Sequence, residues 1–474
     1  MSMREAIFQT LVRPEPRTLA GAHILVLGLG DSGLSMARWA EHEGAHVRLL
    51  DTRRAPPNLA KAQQTLQHAQ IHCGEFSPGH LRDITLLCVS PGLSLETPVV
   101  RAAIAQGVPI VGEFELFAWA LSHYGRAPMA AITGTNGKTT VTALTGHLLR
   151  ENQVDVEVAG NIGPAVLDAL LRRVVSGVMP QAWVLELSSY QLETTWTLCP
   201  DAAVVLNVTE DHLDRYPDMH AYAEAKARIF DGAGLQIVNR EDATVVAMTQ
   251  LEHKRISFGI GAPKHAEDYG LIDHDGQRWL AQGATPFVAC ADLPIHGEHN
   301  AANVMAALAL AQQLGVSRNQ ALQALPSFRG LAHRLARIAS RNGVEWFDDS
   351  KGTNVGATLA ALQGLARRVV LIAGGEGKGQ DFSPLRQPVQ DWARAVVLIG
   401  TDAPKIAHAL AGSDVPLIHC ATMAQAVSRA AQLAQAGDAV LLSPACASFD
   451  MFRDYKHRGE AFTAAVHALE VSRG

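Results

Sequence analysis

Short apolar runs alternate with segments of helical period along almost the whole chain. The pattern predicts parallel α/β units, in which buried strands alternate with the helices that cover them. His23-Ile-Leu-Val-Leu27 reads as the first strand, Ser32 to Gly44 as a helix and Val47 to Leu50 as the next strand. A further strand over Ile84 to Val89 ends at Ser90-Pro91-Gly92, and strand C-termini in such sheets commonly meet ligands. A second unit opens with the strand Met129 to Ile132 and a helix from Thr139 to about Arg150. It continues through strands at Trp183 to Leu187 and Ala202 to Leu206. Between roughly Leu251 and Pro294 the pattern changes. Short runs such as Arg255-Ile-Ser-Phe258 and Arg278-Trp-Leu280 sit between Gly and Asp turns and predict a small β-rich insertion. The helix Asn300 to Leu314 follows, and a third α/β unit begins near Gly330, with strands at Val369 to Ile372, Ala395 to Ile399 and Ala439 to Leu442.

At 474 residues the chain exceeds what one core supports, so two to four domains are expected. Its 48% hydrophobic and 18% charged content describes an ordinary soluble globular protein. No stretch approaches the ~18–20 apolar residues of a membrane span. Arg4, Glu5, Arg13, Glu15 and Arg17 interrupt the N-terminal stretch, which lacks the apolar core of a signal peptide. The six cysteines form no C-x-x-C pair, so neither a zinc site nor a disulfide framework is indicated. A net charge of −6 without basic runs argues against nucleic acid as a partner. The expectation is a cytoplasmic protein, a monomer, with no membrane insertion.

Chemistry gathers at the ends of the predicted strands. Residues 134–140 read Gly-Thr-Asn-Gly-Lys-Thr-Thr between a strand and a helix. Loop N–H groups and a helix N-terminus face an anion together there, Lys138 can reach terminal phosphates, and Thr139 can offer a hydroxyl to Mg²⁺. The match to the general phosphate loop is incomplete, because its first glycine would fall at Ile132. An ATP-type site follows. Gly28-Leu-Gly30-Asp-Ser-Gly33, with Asp51 closing the second strand, is a dinucleotide fingerprint: glycines for a tight turn, an acid for a ribose. It does not distinguish NAD from a UDP-linked ligand. Glu186 at a strand end suits Mg²⁺. Glu210, Asp211, His212 and Asp214 gather in Asn207-Val-Thr-Glu-Asp-His-Leu-Asp-Arg-Tyr-Pro217, which suits a second cation or a substrate. Lys226, ten residues beyond Tyr216, reads by itself as a surface lysine. Later come Gly297-Glu-His-Asn-Ala-Ala-Asn303, His333-Arg334, Asp348-Asp-Ser-Lys-Gly-Thr-Asn-Val-Gly356, Gly374-Gly-Glu-Gly-Lys378 and Ser443-Pro-Ala-Cys-Ala-Ser-Phe-Asp450.

Together these segments resemble the Mur ligases, ATP-dependent amino-acid-adding enzymes of peptidoglycan synthesis, from about Gly21 to the C-terminus. G-T-N-G-K-T-T, N-V-T-E-D-H-L-D-R-Y and D-D-S-K-G-T-N carry the resemblance. L-E-L-S-S-Y-Q-L-E-T-T and S-P-A-C-A-S-F-D are most similar to the branch that adds D-glutamate to UDP-N-acetylmuramoyl-L-alanine. The resemblance implies an α/β fold of three domains. These are a Rossmann-like UDP-substrate domain over 1–109, a central P-loop ATPase-type domain with a small β insertion over 110–329, and a C-terminal Rossmann-like domain over 330–474. It implies ATP and two Mg²⁺ ions as cofactors, and an acyl phosphate followed by a tetrahedral intermediate. By motif match, Lys138, His212, Lys226 and Asn161 would be catalytic. Gly134, Thr135, Asn136, Gly137, Lys138, Thr139, Thr140, Asn300, Asn303, Arg334 and Asp349 would bind ATP. Gly28, Gly30, Asp31, Ser32, Gly33, Asp51, Thr52, Arg53, Ser90, Gly92 and Asn161 would bind the UDP-substrate. Lys351, Thr353, Lys378, Ser448, Phe449 and Tyr455 would bind D-glutamate. Thr139, Glu186, His212 and a carbamylated Lys226 would hold metal. Glu376, where the family pattern has Asp, Phe449, where Leu is more familiar, and Tyr455, in place of Phe, depart from the pattern.

Overall fold

The structure is a computed structural model and describes residues 14–469 except 251, 296 and 366. The N-terminal residues up to 13 and Leu251, at the expected start of the insertion, lie outside the described residues.

Three parallel-type sheets follow one another along the chain. The first contains β1 (His23–Leu27), β2 (His46–Asp51), β3 (Gln70–Cys73), β4 (Leu86–Val89) and β5 (Ile110–Val111), in the order 3-2-1-4-5. The second contains β6 (Met129–Thr133), β7 (Val156–Gly160), β8 (Ala182–Glu186), β9 (Ala202–Val205), β10 (Leu235–Asn239) and β11 (Lys254–Phe258), in the order 11-10-9-6-8-7. A separate antiparallel sheet is formed by β12 (Tyr269–His274), β13 (Gln277–Gln282) and β14 (Thr285–Ala289). The third large sheet contains β15 (Ala336–Arg341), β16 (Val344–Asp348), β17 (Val369–Gly374), β18 (Ala393–Ile399), β19 (Leu417–His419) and β20 (Ala439–Leu442), in the order 15-16-20-17-18-19. Its first pair, β15–β16, is an antiparallel hairpin, while the other strands pair in parallel.

The β-rich insertion is therefore shorter than its sequence suggests. Arg255 to Phe258 pairs in parallel with β10 as the edge of the central sheet, and only Tyr269 onward makes the antiparallel unit. The run is ambiguous in sequence because a two-sided edge strand and a hairpin strand share the same short alternation.

Central strands such as β6, β8 and β17 are buried along their full length, as expected where helices cover both faces. The helices that position the site are α1 (Asp31–His42), α2 (Glu113–Tyr124), α3 (Lys138–Glu151), α4 (Val166–Ser176), α5 (Met219–Ala227), α6 (Glu298–Gln313), α7 (Val355–Leu365) and α8 (Tyr455–Ala468). Among the described residues no helix is long and apolar enough to cross a membrane.

Candidate active site

The C-terminal strand ends of all three large sheets open onto three adjoining cavities. The first, of about 960 Å³, is lined by Gly28, Gly30, Asp31, Ser32, Asp51, Thr52, Arg53, Ser90 and Gly92, with Asn161 closing its far side. The second, of about 340 Å³, takes Thr135, Asn136, Gly137, Lys138, Thr139, Glu186, Asp211 and His212 from the central unit. Its opposite wall is Lys351, Thr353, Lys378, Ser448, Phe449 and Tyr455. The third, of about 100 Å³, is lined by Thr140, Asn300, Asn303, Arg334 and Asp349. Thr139, Asn161, Lys351 and Tyr455 face both the first and second cavities, and Asn136, Gly137, Arg334 and Lys351 face both the second and third. Nearly every residue singled out in the sequence therefore borders one continuous space. Gly33, Gly134 and Lys226 line none of the three. Gly33 is a packing glycine: any side chain there would run into the Gly28 carbonyl, so its absence lets α1 close onto β1.

The phosphate loop is held from outside. Thr135 N donates to Asn207 O at 2.9 Å and Asn136 N to Asn207 Oδ1 at 2.8 Å. Gly137 adopts φ 84°, and a Cβ there would lie 2.6 Å from Asn303 Oδ1. Lys138 Nζ donates to the carbonyls of Gly134 and Thr135 at 2.6 and 2.8 Å. Burial pulls its pKa down, against the raising effect of Glu186 and Asp211. Lys226 is not the surface lysine that its residue type suggests. It is 1% exposed, donates to the same Gly134 carbonyl at 3.0 Å, and lies 4.5 Å from the centre of the Tyr222 ring. Burial, reinforced by the Lys138 charge, pulls its pKa well below the ordinary lysine range.

Glu186 is 1% exposed. Its Oε1 accepts from Asn161 Nδ2 at 2.6 Å, while Oε2 is buried with no hydrogen-bond partner. A buried carboxylate oxygen left open beside a phosphate loop is costly alone and suits a hard cation. Of the acidic loop, Asp211 and His212 reach the second cavity, but Glu210 and Asp214 are exposed and do not. The expected four-residue cluster is thus reduced to two, because the loop turns at His212, whose φ is 59°. Burial drops the His212 pKa to about 4 despite Asp211 beside it, so its imidazole is neutral near pH 7 and keeps a lone pair. Among the described residues no three His, Cys, Asp or Glu side chains converge as a metal site. Thr139 lines the same cavity as Glu186 and His212.

Asp51 does not present an open carboxylate to a ribose. Leu29 N donates to its Oδ2 at 2.7 Å, and Arg53 grips both oxygens through N, Nε and Nη2 at 2.9, 2.8 and 2.7 Å. Burial alone would raise its pKa, but the Arg53 and Leu29 bonds hold it at about 2. Through Leu29 N, Asp51 holds the glycine turn while lining the first cavity. In the third cavity burial pushes Asp349 up to about 7, although Ser443 Oγ donates to it at 2.7 Å and Arg334 lies nearby. Burial, then the charges of Arg334 and Lys138, bring Lys351 down to about 8, and its Nζ lies 4.1 Å from the Tyr455 ring centre. Tyr455 therefore does what any aromatic ring could do there. Glu376 is exposed and its backbone bridges to Ala447, and Phe449 is 67% exposed at the mouth of the second cavity.

Nine described non-glycine residues have positive φ, and five of them, His212, His333, Leu335, Lys378 and Ala445, lie at or beside these cavities. Strain of this kind gathers where function fixes the backbone. Sequence reasoning missed Asn354, Asp454 and Lys456 on the cavity walls and His299 in the third cavity. Asn354 sits inside a segment already singled out, but nothing in its residue type set it apart from a helix cap.

Comparison with known proteins gives the same outline. Residues 22–112 match the Mur ligase MurD-like, N-terminal domain, residues 132–311 the Mur ligase middle domain, and residues 333–446 the Mur ligase, glutamate ligase domain. The chain is 53% identical to the UDP-N-acetylmuramoylalanine--D-glutamate ligase of Nitrosospira multiformis, covering 96% of this chain and 97% of that one. It is 52% identical to the ligase of the same name from Aromatoleum aromaticum, covering 96% and 99%. In fold it is similar to UDP-N-acetylmuramate-alanine ligase MurC from Thermotoga maritima, with TM-score 0.61 at 18% identity over 95% of this chain and 100% of that one. MurF from Acinetobacter baumannii gives TM-score 0.61 at 18% identity, over 96% of this chain and 92% of that one. With three domain models matched in order and half of its residues shared along nearly its full length, the chain belongs to the Mur ligase family.

Proposed function

We propose that this chain is an ATP-dependent amide ligase that joins D-glutamate to UDP-N-acetylmuramoyl-L-alanine, acting in the cytoplasm on a peptidoglycan precursor. The observation that carries this reading is the meeting of three cavities at one phosphate loop. One is walled by a glycine turn, one by cations from the third unit, and one by asparagines, Arg334 and a buried Asp349. Relatives of the same name at about half identity supply the substrates. The units 1–109, 110–329 and 330–474 then divide the UDP-substrate, ATP and amino-acid sites among them.

A carboxylate is a poor electrophile until one oxygen becomes a good leaving group. In the reaction proposed, the alanyl carboxylate oxygen bonds to the γ-phosphorus of ATP as the bond to ADP breaks. The D-glutamate nitrogen then adds to the acyl carbon, and the tetrahedral intermediate expels inorganic phosphate as the amine loses its proton. Holding two anions in line and neutralising their charge is the main task. Lys138 exchanges the Gly134 and Thr135 carbonyls for the transferred phosphoryl group, and Arg334 adds a second, half-buried cation. Lys378, Lys351, Thr353 and Ser448 suit a dicarboxylic amino acid, which needs fixed cations and neutral donors. When bound, Mg²⁺ supplies charge neutralisation at the phosphates, with Thr139 and the open Oε2 of Glu186 as its holders. A second ion would be held by His212 and by Lys226 if Lys226 carried a carbamate. A free ammonium would repel a metal, whereas an amine that has added to CO₂ and lost a proton offers two oxygens that share one negative charge.

Phosphate release from ATP, with UDP-N-acetylmuramoyl-L-alanine and a panel of amino acids, tests the reading. D-glutamate is expected to be the acceptor, and release driven by L-alanine or diaminopimelate instead would replace it. Lys226→Ala is expected to be nearly inactive and partly restored by acetate or formate. Normal turnover without added acid would remove the carbamate.

A further inference from the structure

One buried side chain joins the phosphate loop to the opposite wall, and nothing in the reaction as described accounts for it. Asn354 precedes α7, 218 positions from Asn136 of the phosphate loop, and is 2% exposed. The two side-chain amides are paired reciprocally. Asn136 Nδ2 donates to Asn354 Oδ1 at 3.3 Å, and Asn354 Nδ2 donates to Asn136 Oδ1 at 3.1 Å. The second Nδ2 proton goes to Asp211 Oδ2 at 3.2 Å, and Oδ1 also accepts from Ala357 N at 2.9 Å, capping α7. An amide has two donor hydrogens and two acceptor lone pairs, and all four are used. Neither aspartate, which lacks the donors, nor a hydroxyl, which lacks the reach, can replace it.

What hangs on this residue is the acceptor wall. Thr353 lies immediately before it and Lys351 three positions before. Val355 N, immediately after it, donates to Gln380 Oε1 at 2.8 Å. Gln380 Nε2 in turn donates to the carbonyls of Gly377 and Ala445 at 3.0 and 2.8 Å, next to Lys378 and just ahead of Ser448. Hydrogen bonds, joined by the peptide step from Asn354 to Val355, thus link the phosphate loop to the segments that carry Lys378 and Ser448.

We infer that Asn354 is a positioning residue that seats the amino-acid wall on the phosphate loop, so that the acceptor pocket is correctly formed only when Asn136 is in place. The inference rests on the function proposed above and names how the acceptor half of that site is assembled. Asn354→Ser keeps an oxygen able to cap α7 but cannot span to Asn136 and Asp211. Loss of the amide pair is expected to raise the acceptor KM about tenfold, while the ATP KM moves less than about twofold. In a double-mutant cycle, Asn136→Ala is expected to add nothing to the acceptor KM of Asn354→Ser, because the two substitutions remove one interaction. Amide hydrogen exchange, which needs no substrate, is expected to speed up in Asn354→Ser over both residues 134–137 and 351–356.

Full additivity in the cycle, or unchanged exchange at residues 134–137, would overturn the inference while leaving the ligase reading intact. A wild-type chain that releases no phosphate with D-glutamate would instead count against the ligase reading. The cycle is then run with whichever amino acid the panel selects, and the exchange measurement stands unaltered.

Discussion

The first and third units meet the central one in opposite ways. Between the first two, one apolar core runs without interruption, from Trp39 and Leu49 through Phe117 to Trp183 and Val205. Arg38 Nη1 adds an ion pair to Asp168 at 3.2 Å between α1 and α4. Between the central and third units no such continuity exists among the described residues. The apolar clusters of the third unit contain nothing before Leu335, and those of the other two nothing after Leu331. Gly297 and His299 pack against Gly364 there, and the polar part of the contact is hydrogen-bonded through Asn136, Asn354 and Asp211. Apolar surface separated into water costs free energy in proportion to its area, whereas hydrogen bonds opened to water are largely replaced. The first junction is therefore a fixed floor for the glycine-turn cavity. The second is a joint at which the acceptor wall can be made and unmade.

The largest effect that sharpens this contrast is at the loop itself. Lys138→Ala is expected to lower kcat by about 10³-fold or more, since it removes the cation that meets charge developing on the phosphoryl group. Affinity for the UDP-substrate, measured by calorimetry, should stay within about twofold, because Lys138 does not line the first cavity. A parallel loss of that affinity would mean that the two sites are not separable in this way.

Next comes the shared core. Phe117 is fully buried on α2 and meets Trp183 edge to face, with ring centroids 4.9 Å apart. Phe117→Ala is expected to cost about 3–5 kcal/mol. In scanning calorimetry the transition of the first two units should fall while that of the third stays. One transition that moves as a whole would erase the difference between the junctions.

How much of this was legible beforehand depended on whether the signal was local. Strands His23–Leu27 and Ala439–Leu442 were readable to the residue, because a parallel strand inside a covered sheet is a short apolar run with turn residues on both sides. The phosphate loop and Glu186 were readable because their chemistry is written in consecutive residues. Lys226 was not, since its burial depends on Gly134, which is 92 positions away. The role of Asn354 was hidden for the same reason: its partners Asn136 and Asp211 belong to another unit. The bonds from Arg53 to Asp51 were not legible, because a run of residues does not show which neighbour a strand-end carboxylate will take.

A smaller effect breaks the contrast from the side of the joint. Lys378→Ala is expected to raise the D-glutamate KM about 10- to 100-fold, the usual worth of a charge-assisted hydrogen bond, and to leave the UDP-substrate KM unchanged. Equal changes in the two constants would show that the acceptor wall and the glycine-turn cavity form one rigid body.

The smallest effect separates the junctions by pH, because each holds one carboxyl raised to about 7. At the first it is Glu113, 2% exposed, whose Oε1 accepts from Leu167 N at 3.1 Å while Oε2 lacks a partner. Burial raises it, and the Ser32 hydroxyl only partly opposes this. At the second it is Asp349, raised by burial despite Ser443. A carboxyl whose pKa is higher in the folded chain binds its proton more tightly there. Its contribution to stability is complete below the unfolded pKa, near 4, and is lost as pH rises through about 7. Each group should therefore take on the order of 2 kcal/mol from the stability of its own unit across that window. Glu113→Gln keeps an acceptor for Leu167 N but has no proton to lose, so it should flatten the pH dependence of the first transition alone. Asp349→Asn should flatten only that of the third unit. The check is calorimetry of both variants from about pH 4.5 to 7.5. If either substitution flattens both transitions equally, the two junctions unfold as one and the hydrogen-bonded joint is no weaker than the apolar floor.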